Sequence, residues 1–225
     1  MNLRTSTLLK MKGNNKMTIT IDKANVSIEN GKVIIDLDSA QLENILNSGK
    51  VVLSSLKPKD TFMLGDERFI VLEHTDKGTR VISEKFAYWG VKFGECSDWR
   101  KSPIRSTLNN EYYNRIAKIV GKGNIISMDR DLTSLDGLDD YDSCTDNISL
   151  LTVAEYAKYH RILGLKSKYP DWWWTITPAS TPSSDYSRDV CYVLSDGILS
   201  WNGCGCSRGV RPFLTLESSV LVLKD

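Results

Sequence analysis

Five cysteines and two histidines are the side chains whose types could carry nucleophilic, redox or metal chemistry in this 225-residue chain. They are Cys96, Cys144, Cys191, Cys204 and Cys206, with His74 and His160. The cysteine number is odd and no secretion signal precedes them, so a disulfide framework is not expected and a reducing compartment is. Cys204 and Cys206 stand one residue apart, closer than a C-x2-C metal knuckle, and no second ligand pair follows; a zinc site is not expected. A Cys-His nucleophile would need His74 or His160 as its base. His160 falls on a helical stretch beside Tyr159 and Arg161, and His74 ends a strand before a turn, which are ordinary surface positions. Seven aspartates crowd residues 129–146. Clustered oxygens suit calcium, but the spacing is not that of an EF-hand loop, and aspartates that cap turns explain the same composition. No cofactor is expected, a structural calcium in that loop being the one alternative.

Residues 183–208 have the composition of a contact surface. Twenty of these 26 residues are Ser, Asp, Asn, Tyr, Gly, Cys or Arg, and the other six are spaced like strand anchors. Tyrosine and arginine supply large contact areas, and small polar residues adapt their hydrogen bonds. Aromatic and Arg side chains also dominate binding hot spots. Tyr186, Arg188, Tyr192, Trp201, Asn202 and Arg208 are therefore the candidate ligand-binding residues. The same composition arises when adenines of asparagine codons are replaced at random, as retroelement-driven diversification does; a turn-rich loop is the simpler origin. Trp172, Trp174, Arg105 and Arg211 are assigned structural roles. Strand alternation would bury Trp172 and Trp174 together and turn Trp173 the other way. Arg211, before Pro212, could tie loops together through bidentate hydrogen bonds.

Composition bounds the rest. Apolar residues make up 41% and charged residues 25%, and the net charge is +1. That is ordinary for a globular protein and excludes a disordered chain, a coiled coil or a collagen-like repeat. It provides no field to attract nucleic acid or an anionic membrane. No apolar run approaches the ~20 residues of a membrane helix, so neither nucleic acid nor membrane insertion is expected. The compartment expected from the cysteine usage is a reducing cytoplasm.

Several elements must position these residues. Residues 1–16 are basic without a signal-peptide core and read as a disordered or non-native tail, with translation starting at Met17. Residues 17–50 read as an appended unit for docking or homo-oligomerisation, with strands over 18–37, an Asn30-Gly31 hairpin signal and a helix to about Asn47 capped by Ser39. Residues 51–225 form the main domain. A meander is expected over 62–64, 68–72 and 79–83. Ser102 with Pro103 starts one helix and a second runs from about Glu111 to Val120. Thr152 and Glu155 form a capping box for a helix ending near Leu163. The Trp run at 172–174 and the stretch 209–216 supply late strands.

Trp99 with Ser102, Ile104, Arg105, Leu108 and Asn109, then Trp172-Trp173-Trp174, then Val193 with Asp196-Gly197, then Gly209-Val210-Arg211-Pro212 make a combined pattern over about residues 57–217. It resembles an uncharacterised domain family common in phages, prophages and low-GC Gram-positive bacteria. The ending is also similar to the C-type-lectin-like fold in its formylglycine-generating-enzyme variant. These resemblances imply an α+β domain with short strands, two to four helices and long loops presenting a ligand surface at one end. They imply a non-enzymatic binding protein of phage or mobile-element origin, in the bacterial cytoplasm or a phage virion, with a protein or cell-surface glycan as its partner. Two other functions are compatible with the residues: an intracellular inhibitor of a host defence protein, using the acidic stretch against a basic groove, and an oxidase of the formylglycine-generating type. The Cys204-Cys206 spacing departs from the paired copper ligands of the latter. A calcium-dependent sugar site is also disfavoured, because Trp201-Asn202-Gly203 lacks the final acid.

Overall fold

Strand-forming segments separated by turn residues dominate the computed structural model of the chain. It describes residues 49–163, 172–184 and 188–224, and the backbone of four strands before them. The chain divides into two units, Met1–Lys50 and Val51–Asp225. In the first, β1 (Ser6–Leu9) pairs antiparallel with β2 (Met17–Thr20), and β3 (Asn25–Glu29) with β4 (Lys32–Asp36). Ser6–Leu9 is thus a strand where the sequence suggests an unstructured tail. The helix expected up to Asn47 lies outside the described residues.

The second unit holds two larger sheets. Its strands are β5 (Lys50–Val52), β6 (Thr61–Leu64), β7 (Glu67–Thr75), β8 (Gly78–Ser83), β9 (Tyr88–Lys92), β10 (Ile125–Ile126), β11 (Met128–Asp131), β12 (Ser143–Asp146) and β13 (Ile148–Ser149), followed by β14 (Trp173–Pro178), β15 (Asp189–Val193), β16 (Leu199–Gly203), β17 (Ser207–Val210), β18 (Phe213–Leu216) and β19 (Leu221–Lys224). The eight-stranded sheet runs β10-β18-β8-β7-β6-β19-β5, with β13 also on β18. The five-stranded sheet runs β16-β15-β14-β17-β9, antiparallel except where β14 meets β17. The β6–β8 meander follows its alternating sequence. At its second turn Gly78 has φ +148, and a Cβ there would lie 2.5 Å from the Leu216 carbonyl oxygen, so glycine is required.

The fold class expected from the sequence is corrected here. The chain is mostly β, 41% strand and 23% helical, with one helix of 18 residues, and is not a C-type-lectin-like α+β domain. The two helices expected between residues 102 and 120 are one continuous helix of 18 residues. It comprises α1 (Pro103–Thr107), a π-helical turn (Leu108–Tyr112) and α2 (Tyr113–Val120). Ser102 Oγ caps it by accepting from Ile104 N, with Pro103 at the first helical position. The π turn carries Asn109, whose Oδ1 accepts from Asn147 N and Ile148 N while its Nδ2 donates to Ile148 O. The helix therefore holds the bend between β12 and β13 instead of breaking. The other helix, α3 (Val153–Leu163), starts on its capping box: Glu155 N donates to Thr152 Oγ1 and Thr152 N to Glu155 Oε2.

Two cores lie on opposite faces of the five-stranded sheet. One gathers Phe62, Phe69, Phe93, Trp99, Trp174 and Leu214. The other gathers Leu72, Ile82, Tyr156, Tyr159, Trp173 and Phe213 under α3. Adjacent residues of a strand face opposite sides, so Trp173 and Trp174 are both fully buried, each in its own core. Trp172, expected to be buried with Trp174, is 40% exposed because it precedes the strand, at the sheet's margin.

Candidate functional site

The residues that mark the sequence pattern meet each other. Trp99 Nε1 donates to Asp146 Oδ2 at 2.7 Å, and Arg105 Nε pairs with Asp146 Oδ1 at 2.7 Å. Arg211 donates from Nε and Nη2 to the Ser83 carbonyl, and its guanidinium carbon lies 5.1 Å from the Trp173 ring centre. Gly209 packs beneath Phe86, whose ring would lie 2.8 Å from a Cβ. Tyr156 donates to the Gly197 carbonyl, fixing the turn between β15 and β16. These contacts join loops to strands; none presents a reactive group to a cleft.

Burial keeps three of the five thiols protonated, and both ring nitrogens of His74 are hydrogen-bonded. Burial pushes the Cys191 thiol up to about 12. Burial also raises Cys204, outweighing the lowering by Arg188, and raises Cys144, with help from Asp146. A raised pKa depletes the thiolate, the nucleophilic form. His74 Nε2 lies 2.7 Å from the Leu56 carbonyl oxygen and Nδ1 2.8 Å from Thr79 Oγ1. The carbonyl only accepts, so Nε2 donates to it. His160 stacks on Tyr156 with ring centres 5.2 Å apart.

Four exposed aspartates of 129–146 bond to neighbouring hydroxyls and amides. Asp131 accepts from Thr133, Asp136 from Ser134 and Ser180, Asp140 from Thr181 and Ser183, and Asp129 from Thr145. These hydroxyl and amide bonds hold the Asp131, Asp136 and Asp140 carboxyls below their usual range. Among the described residues no group of three His, Cys, Asp or Glu converges as metal ligands would. A cleft of about 350 Å³ opens beside Glu67, Arg68, Glu84 and Arg115. Its charges close on one another as Arg115–Glu67 and Arg68–Glu84. Burial raises the Glu67 carboxyl despite the bonds from Tyr112 and Arg115.

The candidate contact residues separate by strand register. Tyr192 stands opposite Trp174 and Ser200, and Val190 opposite Asn202, so alternation puts Arg188, Tyr192 and Asn202 on the side of Trp174. Cys191 stands opposite Trp201, which therefore takes the other face. Arg208 joins the first side. Its guanidinium carbon lies 4.5 Å from the Tyr192 ring centre, 4.7 Å from Trp172 and 5.4 Å from Trp174. A desolvated cation–π contact of this kind contributes about 2 kcal/mol. Tyr192 and Arg208 are 5% and 8% exposed, so they are supports rather than contact residues. The sequence did not reveal this, because alternation names a side but not its cover. Tyr186 lies outside the described residues. The exposed rim on this side runs from Trp172 and Ile198, near the β15–β16 turn, to Asn202 and Arg188, toward the start of β15. Ile198, 60% exposed, escapes a search for aromatic and Arg side chains.

Residues 78–218 match the model of a domain of unknown function, DUF6273. The chain belongs to this family. No curated protein and no solved structure matches it. The DUF6273 match begins at β8 and ends just past β18, so it includes the whole five-stranded sheet, the Asp146 junction and the rim around Trp172. No helix among the described residues of the DUF6273 chain is long and apolar enough to cross a membrane.

Proposed function

We propose that this DUF6273 domain is a non-enzymatic binding module, encoded by a phage or mobile element, that engages a protein or a cell-surface glycan through the rim formed by Trp172, Ile198, Asn202 and Arg188. The carrying observation is the Trp172 indole, held part-exposed on the Arg208 guanidinium, which is itself clasped by Tyr192 and Trp174. An aromatic plate fixed before the ligand arrives loses little freedom on binding. It can stack on a sugar ring or fill a pocket of a protein partner. Asn202 and Arg188 lie on the same face farther along the β15–β16 hairpin, toward the start of β15, and supply hydrogen bonds there. Thiols held protonated by burial favour binding over thiol catalysis.

The test immobilises the full chain and exposes it to cell-wall glycan and, separately, to surface proteins purified from a low-GC Gram-positive host. Capture lost in both Trp172→Ala and Arg188→Ala supports the reading. Capture that survives both changes, or no capture from either fraction, overturns it.

A further inference from the structure

The four edges of the two larger sheets are not alike. At one end of the eight-stranded sheet β10 and β13 have two residues each, and at the other β5 has three and carries Lys50. In the five-stranded sheet β9 ends in Lys92, contains Gly90 at φ +71, and shifts register against β17. Shortness, lysine and bulges are the usual ways to keep an edge from pairing with another chain. The fourth edge, β16, has none of them. It runs Leu199-Ser200-Trp201-Asn202-Gly203 without charge or proline, and pairs with β15 in five consecutive register positions.

The hydrogen bonds show which groups face outward. Cys204 N donates to Arg188 O, and Leu194 N to Ile198 O. Bonded pairs alternate along an antiparallel ladder. Asn202 and Ser200 therefore turn their backbone groups toward β15, while Leu199, Trp201 and Gly203 turn theirs away. The Gly203 N–H is closed by the Asn202 side-chain oxygen at 2.7 Å. The Gly203 C=O is closed by Cys206 N at 2.9 Å. Among the described residues, the open edge therefore consists of the N–H and C=O of Leu199 and of Trp201, with Ser200 at its centre.

We infer that β16 pairs antiparallel with β16 of a second copy of this chain, about a two-fold axis at Ser200, joining two five-stranded sheets into one of ten strands. This register sets Leu199 of each copy opposite Trp201 of the other and satisfies all four open groups of both copies. A register centred on Trp201 would instead need the Gly203 N–H groups and would break both Asn202 closures. The uncharged strand faces its own copy without like-charge cost, the apolar pair Leu199–Trp201 forms twice, and Ser200 meets Ser200 at the close-approach position. Trp201, 56% exposed, becomes covered. The contact is a short strand, so the dimer is expected to be a weak one, below the size of stable interfaces. This inference does not rest on the ligand reading. It removes Trp201 from the ligand set and would place two Trp172 rims on one sheet, which raises avidity for a repeating ligand.

The test is sedimentation of the full chain from micromolar to several hundred micromolar concentration. A reversible monomer–dimer equilibrium is expected. Trp201→Lys, a change at an exposed side chain, should raise its dissociation constant about tenfold or more. Under mild oxidation Ser200→Cys should give a disulfide between the two introduced cysteines, identified by peptide mass, whereas Trp201→Cys should not. A chain that stays monomeric throughout, or a dimer indifferent to Trp201→Lys, overturns the inference. Cross-linking through position 201 and not 200 overturns the register. Glycan or protein capture by a Trp201→Lys monomer leaves the ligand reading standing by itself.

Discussion

Asp146→Ala tests whether the paired tryptophan and arginine of the helix-start motif form one structural junction. The Asp146 carboxylate is fully buried, accepts from the Trp99 indole at 2.7 Å and pairs with Arg105 at 2.7 Å. Its removal leaves the buried Trp99 N–H without an acceptor, which costs about 1–3 kcal/mol. Removing one partner of a buried ion pair costs about 3–5 kcal/mol. Arg105 remains partly exposed and can turn to water, so its share falls toward the value of a surface pair, about 1 kcal/mol or less. The expected loss is about 2–4 kcal/mol. For a domain of this size that is on the order of 5–15 °C in melting temperature. Asp146→Asn keeps an acceptor for Trp99 and should cost roughly half as much. Urea unfolding of the three chains, followed by tryptophan fluorescence, measures both differences. If Asp146→Ala unfolds within about 0.5 kcal/mol of the parent, or if the asparagine variant is as damaging as the alanine one, the junction does not hold the fold as argued.

Three further outcomes are expected. Burial raises the Glu155 carboxyl, but the hydrogen bonds and charge of Arg130 outweigh it and hold it below its usual range. A depressed folded pKa gives stability that is present above the unfolded value of 4.5 and lost as pH falls through the folded one. Glu155→Gln should therefore flatten the acid limb of stability against pH, and an unchanged limb would deny the coupling. Iodoacetamide at pH 8 should label the partly exposed Cys96 and Cys206 of the native chain and leave Cys191 and Cys204 unmodified until it unfolds, as read by peptide mass. Gly209→Ala should destabilise by about 1–3 kcal/mol, because the new methyl must displace the Phe86 ring; a melting curve matching the parent would contradict that packing.

Local chemistry was legible in the sequence and long-range cover was not. Ser102-Pro103 and Thr152 with Glu155 announce helix starts, because a cap is satisfied within three residues of itself. The β6–β8 meander is likewise written in alternation and turn residues. The sequence-based break between the helices failed, because Asn109 is drawn to residues 147 and 148, nearly forty positions away. The lectin-like assignment failed because short motifs are compatible with several sheet arrangements, and strand order depends on contacts distant in sequence. Tyr192 and Arg208 carry the residue types of a contact surface, yet the tertiary structure spends them on holding Trp172. By itself the sequence determined which side chains alternate along each strand, and so that Trp173 and Trp174 must part. Only the tertiary structure decided that both sides are covered, that Trp172 is not, and that the edge of β16 is left open, since burial depends on what packs against a face.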